Sequence, residues 1–563
     1  MGEDRQGGTS AHRTLVQGLL EHELNRRRFL GTAAKLAAAP ALAQALAMGS
    51  IGRAFAQAPA VDQTLRLAYT NLTGAFDTGR EGGTPELHLL MFDGLTFYNW
   101  ETHITEPVVA TGWEYDPATL TYTYHLRDDV RWTTGAPVTA ADFEWTWKRN
   151  LSPELASPNV SFLGYIKNGV AYNTGKALAT DVGVTALDDL TLQVVMEEPT
   201  PFFPMVTSLW PFFPLPREVI ERVGDDKWME PENIQSTGPF IFERWDHDQQ
   251  MVYRRNPNYW GKRPTLERVV YRLYENAQRQ ALAGYEADEL DFASVPPPEA
   301  ERVLADPRLS GEVVRWAESR EWQLRIDHRN PNTVLKNVNV RKALYLAIDR
   351  DLIVKQLLKG QGIPSLNFVP PDIPGNNPGA ALPGGPAEAR KYLADAGYPN
   401  GNGFPGFKLG YVPTQSEATL ISQAIATMWK DVLNINVELL PVPTDWRTRI
   451  RTEPYDMYYG GWGSDYLDPN DWHNVIFDGD YWQSHYSDPT YQSMIKDANL
   501  EPDPAIRNQK FGNAESYLIK EQMATIPLFF GATTWVQKPW VRNLRIAPLN
   551  TYIDSRDAWI GAH

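Results

Sequence analysis

A β-α-β unit constrains the architecture of this chain more than any other stretch. Leu409-Gly410-Tyr411-Val412 reads as a short apolar strand, a helix follows through Met428-Trp429, and Ile435-Asn436-Val437-Glu438-Leu439 reads as the next strand. A crossover of this kind is right-handed and sets its two strands parallel, so the C-terminal half has to build an α/β sheet. On the edge of that lobe follows Tyr458-Tyr459-Gly460-Gly461-Trp462-Gly463-Ser464-Asp465-Tyr466-Leu467-Asp468-Pro469. Gly460, Gly461 and Gly463 leave a length of backbone with little side-chain cover, which another extended chain can approach within hydrogen-bonding distance. Asp465 stands just beyond, flanked by the rings of Trp462 and Tyr466. The arrangement suits an extended peptide, with backbone on backbone and a carboxylate for a positive terminus. It also suits a glycine-rich turn in which Asp465 caps the next element.

The rest of the chain narrows the choice. At 563 residues it holds material for several domains, and 42% hydrophobic with 22% charged residues is a globular composition. A net charge of −16 argues against nucleic acid and anionic lipid as partners. Cysteine is absent, which excludes disulfides, thiolate metal sites, haem attachment and Cys nucleophiles. Gly-x-Ser-x-Gly, His-Glu-x-x-His and phosphate-loop motifs are missing too, so the reading is a binder with no catalytic residues. The ten histidines have no metal spacing, and His473 and His485 read as surface or supporting residues. Asp465, Asp468, Asn470 and Asp471 lack the completion of a Ca²⁺ loop and are interrupted by Pro469, so they read as turn formers. No cofactor or metal is expected.

The N-terminus reads as an export address. Asn25-Arg26-Arg27-Arg28-Phe29-Leu30 resembles the twin-arginine motif, an apolar run follows from Gly31 to Ala47, and Ala54-Phe55-Ala56 supplies a cleavage site. The leader is taken as residues 1–56, with a mature chain that is soluble and periplasmic. Later segments fall short of the ~20 apolar residues of a membrane span, and no cysteine is present to carry a lipid.

In the mature chain, Leu65–Tyr69 is a first strand and 71–84 a polar, glycine-rich loop. Leu120–Arg127 alternates apolar and polar residues, as a half-buried strand does. A second strand is expected at Val130-Arg131-Trp132, after which Thr139–Asp142 caps a helix with Phe143 and Trp147 on its core face. Leu190–Met196 is another strand, and 199–216, rich in Phe, Trp and Pro, a buried connector. Gly238–Phe242 and Tyr253–Trp260 read as hairpin strands. Leu344, Ala347 and Ile348 mark a helix, Asp349 starts another that stops at Gly360, and Glu388–Gly397 is a third. The Pro/Gly/Asn-rich stretch 369–386 reads as a surface loop over a cleft.

Taken together, Leu120–Trp147, Ser236–Phe240, Arg254–Trp260, Val340–Arg350, Tyr392–Tyr398, Gly461–Pro469 and Lys538–Val541 resemble the extracytoplasmic solute-binding proteins of peptide-type ABC transporters, family 5, of the oligopeptide-binding kind. The resemblance implies the two-lobed α/β periplasmic binding protein fold, with a hinge and an extra inserted domain. It places lobe I at 57–92, 217–321 and 534–563, the inserted domain at 93–216 and lobe II at 322–533. It also implies that an oligopeptide is enclosed between the lobes with its α-ammonium on Asp465. Gly461, Gly463 and Ser464 would offer main-chain hydrogen bonds beside Trp462 and Tyr466, Glu81-Gly82-Gly83 a facing strand, and Trp446 an aromatic pocket wall. The partners implied are permease subunits with cytoplasmic ATPases, and the state a monomer. Where relatives carry a basic residue three places before the Trp, this chain has Tyr459 at that ligand contact, which leaves peptide length open. Some members of the family bind sugars, and 19 tryptophans permit stacking platforms, so an oligosaccharide is the alternative ligand.

Overall fold

The computed structural model describes residues 59–70, 76–80, 85–330, 333–415, 417–442, 449, 455–474, 485–549 and 552–563. The fold is that of the compact unit Ala60–Gly561 with His563. The expected leader, Glu81, Gly82, Gly83 and Trp446 lie outside the described residues.

The N-terminal strand Thr64–Thr70 runs parallel to Arg268–Tyr274, which continues antiparallel into Gln250–Arg255 and Phe240–Asp246. The last two are the expected hairpin. A second four-stranded sheet takes Ala110–Asp116, Thr121–Leu126, Thr191–Val195 and Val184–Asp188, all antiparallel. Its alternation is that of the sequence, with Tyr122, Tyr124 and Leu126 buried. The helix Ala140–Asn150 starts where the Asp142 carboxylate accepts the Thr139 N–H at 2.7 Å, and it buries Phe143 and Trp147. The strand expected at Val130–Trp132 does not form. Gly135 turns the chain back at once, leaving a single bridge between Arg131 and Pro137. In 199–216, the side chains of Phe203, Val206, Trp210, Phe212 and Leu215 are buried, as a core connector requires.

The third sheet has the order Phe292–Ser294, Thr525–Gln537, Val313–Ile326, Met457–Gly463, Lys408–Tyr411, Glu438–Pro441, with Ile363–Pro364 also on Thr525–Gln537. The parallel pair Lys408–Tyr411 and Glu438–Pro441, joined by helix Ala418–Leu433, is the β-α-β unit read from the sequence. The two longest strands, Val313–Ile326 and Thr525–Gln537, pair with each other antiparallel. A 14-residue strand spans about 45 Å. One end of this pair meets Phe292–Ser294 and the other meets Met457–Gly463, so the two strands cross side by side between the halves of a two-lobed α/β fold. Their register slips between Ala317 and Glu321, an irregularity that bends and twists a strand.

The stretch 369–386 departs from the expected surface loop, since Val369, Ile373, Ala380 and Leu382 are buried. Its anchor is Glu515, whose carboxylate accepts the N–H groups of Phe368, Val369 and Asn377 at 2.8, 2.7 and 2.9 Å. Burial pushes this carboxyl up to about 7. Among the described residues, no helix is long and apolar enough to cross a membrane.

Candidate functional site

The glycine strand Met457–Gly463 pairs without a slip along the crossing strand, from Met457 opposite Ile326 to Gly463 opposite Arg320. On its other side, Lys408–Tyr411 covers Met457 and Tyr458 alone. Beyond them, no described strand pairs with the outer edge of Tyr459–Gly463. The Ser464 N–H donates to the Ser319 carbonyl at 2.8 Å. Antiparallel alternation then turns the main-chain groups of Trp462 inward and those of Gly461 and Gly463 outward. Solvent access alternates the same way: Gly461, Gly463 and Asp465 are partly exposed, while Gly460, Trp462, Ser464 and Tyr466 are buried. An outward edge of bare backbone is where an added strand pairs. One of its acceptors is engaged already, because Arg325 Nη2 donates to the Gly461 carbonyl at 2.6 Å.

The bare positions also serve packing. A Cβ on Gly461 would come within 2.8 Å of the Trp322 ring and 3.0 Å of the Glu321 carbonyl. Trp322 has little room to move, stacked on Tyr459 at 5.4 Å and Phe529 at 6.1 Å between ring centroids. On Gly460 a Cβ would sit 2.7 Å from the Tyr458 ring and 3.6 Å from the Arg325 guanidinium carbon. The Tyr459 ring, expected as a ligand contact, is thus a core ring, 1% exposed. Ser464 is engaged internally as well, its hydroxyl oxygen accepting from Trp472 Nε1 at 2.8 Å.

Asp465 closes the strand in an acidic corner. Its N–H donates to Asp471 Oδ2 at 2.9 Å, and Asp471 lies fully buried in the short helix Pro469–His473. Burial pushes the Asp465 carboxyl up to about 7, opposed by the positive charge of Arg320. Asp471 is pushed well up by burial and then by the charge of Asp465, with a hydrogen bond from the Trp462 side chain opposing. A corner of two crowded carboxylates is stabilised by an arriving cation. Arg320, across the sheet from Gly463 and 3.6 Å from Glu318, had no signal in the sequence. Asp471 had one as a turn former, and the fold makes it the support of Asp465.

The neighbouring polar residues are structural. Asp468 accepts the Asn470 N–H at 2.8 Å and holds Arg507 through two hydrogen bonds of 2.7 Å. His473 is not a surface residue: it is buried 2.7 Å from the Tyr491 hydroxyl, and burial lowers its pKa to about 3, leaving it neutral. Among the described residues, no group of three His, Cys, Asp or Glu side chains is placed to hold a metal.

Just before Glu81–Gly83, the chain is pinned at Asp77, which is buried and takes two hydrogen bonds from Arg149, at 2.8 and 2.7 Å. The Gly79 N–H closes a turn onto Asp77 Oδ1 at 2.9 Å, and Trp228 Nε1 donates to Oδ2 at 3.3 Å. In the sequence this stretch reads as an ordinary polar loop, because Arg149 lies 72 residues away.

Residues 105–484 match the model of bacterial extracellular solute-binding proteins, family 5 Middle. The chain is 30% identical over 494 residues to the periplasmic oligopeptide-binding protein OppA of Salmonella typhimurium, covering 83% of this chain and 87% of that protein. It is 30% identical over 501 residues to the probable deoxycholate-binding periplasmic protein YgiS of Escherichia coli, covering 86% and 90%. Among solved structures, the unliganded open form of the periplasmic murein tripeptide-binding protein MppA matches with a TM-score of 0.76 at 26% identity, over 90% of this chain and 99% of that one.

Proposed function

Since the chain belongs to the bacterial extracellular solute-binding proteins of family 5, we propose that it captures oligopeptides between its two lobes and delivers them to the membrane permease of an ABC transporter. The observation that carries this reading is the outward glycine edge ending at the acidic corner of Asp465 and Asp471. A peptide adds as a strand along Gly461–Gly463, and its α-ammonium docks on Asp465. Enclosure strips that ammonium of water, so a fixed carboxylate is required. Main-chain pairing does not discriminate side chains, and breadth with a terminus requirement is the expected specificity.

Lobe I takes 57–92, 217–321 and 534–563, the inserted domain 93–216, and lobe II 322–533. Glu81-Gly82-Gly83 supplies the facing strand, and Trp446 walls a pocket. The twin-arginine leader 1–56 is removed on export, and the mature protein works as a soluble monomer outside the cytoplasm, without cofactor or catalysis. Its partners are the permease and its cytoplasmic ATPases. Binding favours closure as far as the ligand bridges both lobes.

The oligosaccharide alternative, which rested on the number of tryptophans, is the weaker reading, since Trp462, the tryptophan beside Asp465, is buried in packing and not presented as a platform. A bile-acid anion would meet the carboxylate of Asp465 with like charge. The test is mass spectrometry of small molecules released on denaturing the purified protein, joined to calorimetry of Asp465→Ala. A ladder of mixed short peptides is expected, with a loss of ~3 kcal/mol in affinity for the variant, the scale of a buried charge left alone. N-acetylated peptides should suffer alike. A hexose-spaced series, or a variant that binds peptide as the parent does, would overturn the reading.

A further inference from the structure

Tyr466, the residue after Asp465, is gripped from a distant part of the chain. Its hydroxyl lies 2.7 Å from that of Tyr165, 301 residues earlier, and donates to Asn470 Oδ1 at 2.7 Å. The Phe202 ring lies parallel to the Tyr466 ring, 5.6 Å between centroids and 9° between planes. The Arg507 guanidinium, locked onto Asp468, sits 5.5 Å from the Phe202 centroid. Tyr165 and Phe202 also meet edge to face at 5.3 Å. Both are anchored on the four-stranded antiparallel sheet: the Tyr165 carbonyl accepts the Glu197 N–H at 2.9 Å beside the Ile166–Met196 bridge, and Tyr122 donates to the Thr200 carbonyl at 3.0 Å.

We propose that Tyr165 and Phe202 are positioning residues for ligand capture, clamping Tyr466 so that the adjoining Asp465 is held in its receiving geometry. This rests on the reading of Asp465 as the ammonium acceptor. It gives the 93–216 segment a part in binding that does not require it to touch the ligand. The clamp holds Tyr466 through two aromatic rings and a hydroxyl pair, and the Asp465 N–H is tied to Asp471, so the backbone that carries Asp465 cannot shift without breaking one of them. A change that frees Tyr466, and with it the backbone of Asp465, to leave the receiving geometry is read as a loss of about fivefold in affinity.

The test uses the full mature chain and a synthetic pool of random tri- to octapeptides, offered free and N-acetylated, in binding titrations. Tyr165→Phe is expected to weaken binding of the free pool about fivefold and Phe202→Leu about tenfold, with binding of the acetylated pool unchanged. The melting temperature of the empty Tyr165→Phe protein should fall by about 4 °C at most, the scale of one lost hydrogen bond. In an Asp465→Ala background, Tyr165→Phe should add nothing, since both changes remove the same interaction. Binding of the free pool within about twofold of the parent by both clamp variants overturns the proposal. So does an equal loss for free and acetylated pools, which would mark a structural role. If Asp465→Ala alone leaves binding intact, the ammonium reading fails and the clamp falls with it, a failure read from a different variant.

Discussion

Asp465 combines two demands that pull against each other. On the proposed reading a ligand ammonium needs it ionised, while burial beside Asp471 favours the neutral acid and lifts its carboxyl to about 7. Affinity for peptides should therefore fall as the pH is lowered from 8 to 5, by up to about tenfold per unit below 7, and this slope should vanish in Asp465→Asn. Calorimetry across that range checks it. In the empty protein, the folded-state value stands above the unfolded one of about 4. The stability linked to this group is thus complete below about 4 and is lost as the pH rises through about 7. Asp465→Asn should raise the melting temperature of the empty protein at pH 8 and leave it nearly unchanged at pH 4. A variant that melts lower at pH 8 would show that the charge is tolerated in the corner without strain.

The glycine strand carries its own prediction. Gly461→Ala drives a methyl group into Trp322, which its stack on Tyr459 and Phe529 holds in place, and should cost about 1–3 kcal/mol in chemical denaturation. Arg149→Met strands the Asp77 carboxylate in the core and should cost about 3–5 kcal/mol. Elements set by local pattern were legible in the sequence: the β-α-β unit at 409–439, the alternating strand at 121–126, the helix opening at Thr139. The crossing strand was not read from the sequence: its first half, Val313–Ser319, lies against partners such as Val536 more than two hundred residues on. The site divides in the same way. Asp465 and the glycines are contiguous and announce themselves, whereas Asp471 gains its meaning from a turn and Arg320 from a sheet register. Tyr165 meets Tyr466 only in the fold. The Cβ-free faces of Gly460 and Gly461 read as room for a ligand, and the structure turns them toward Arg325 and Trp322.

At the scale of the molecule, Val313–Ile326 and Thr525–Gln537 run side by side, bonded to each other on both sides of the slip between Ala317 and Glu321. Peptides of different lengths should bring the protein to the same compact dimension in small-angle scattering, because the crossing and not the ligand sets the end point. A radius of gyration that tracked peptide length would contradict this. Two bonded ribbons behave mechanically as a leaf flexure, stiff against sliding and stretching and compliant in a single bending mode. On the proposed reading, a single bending mode reports one bit, loaded or empty, whatever the cargo.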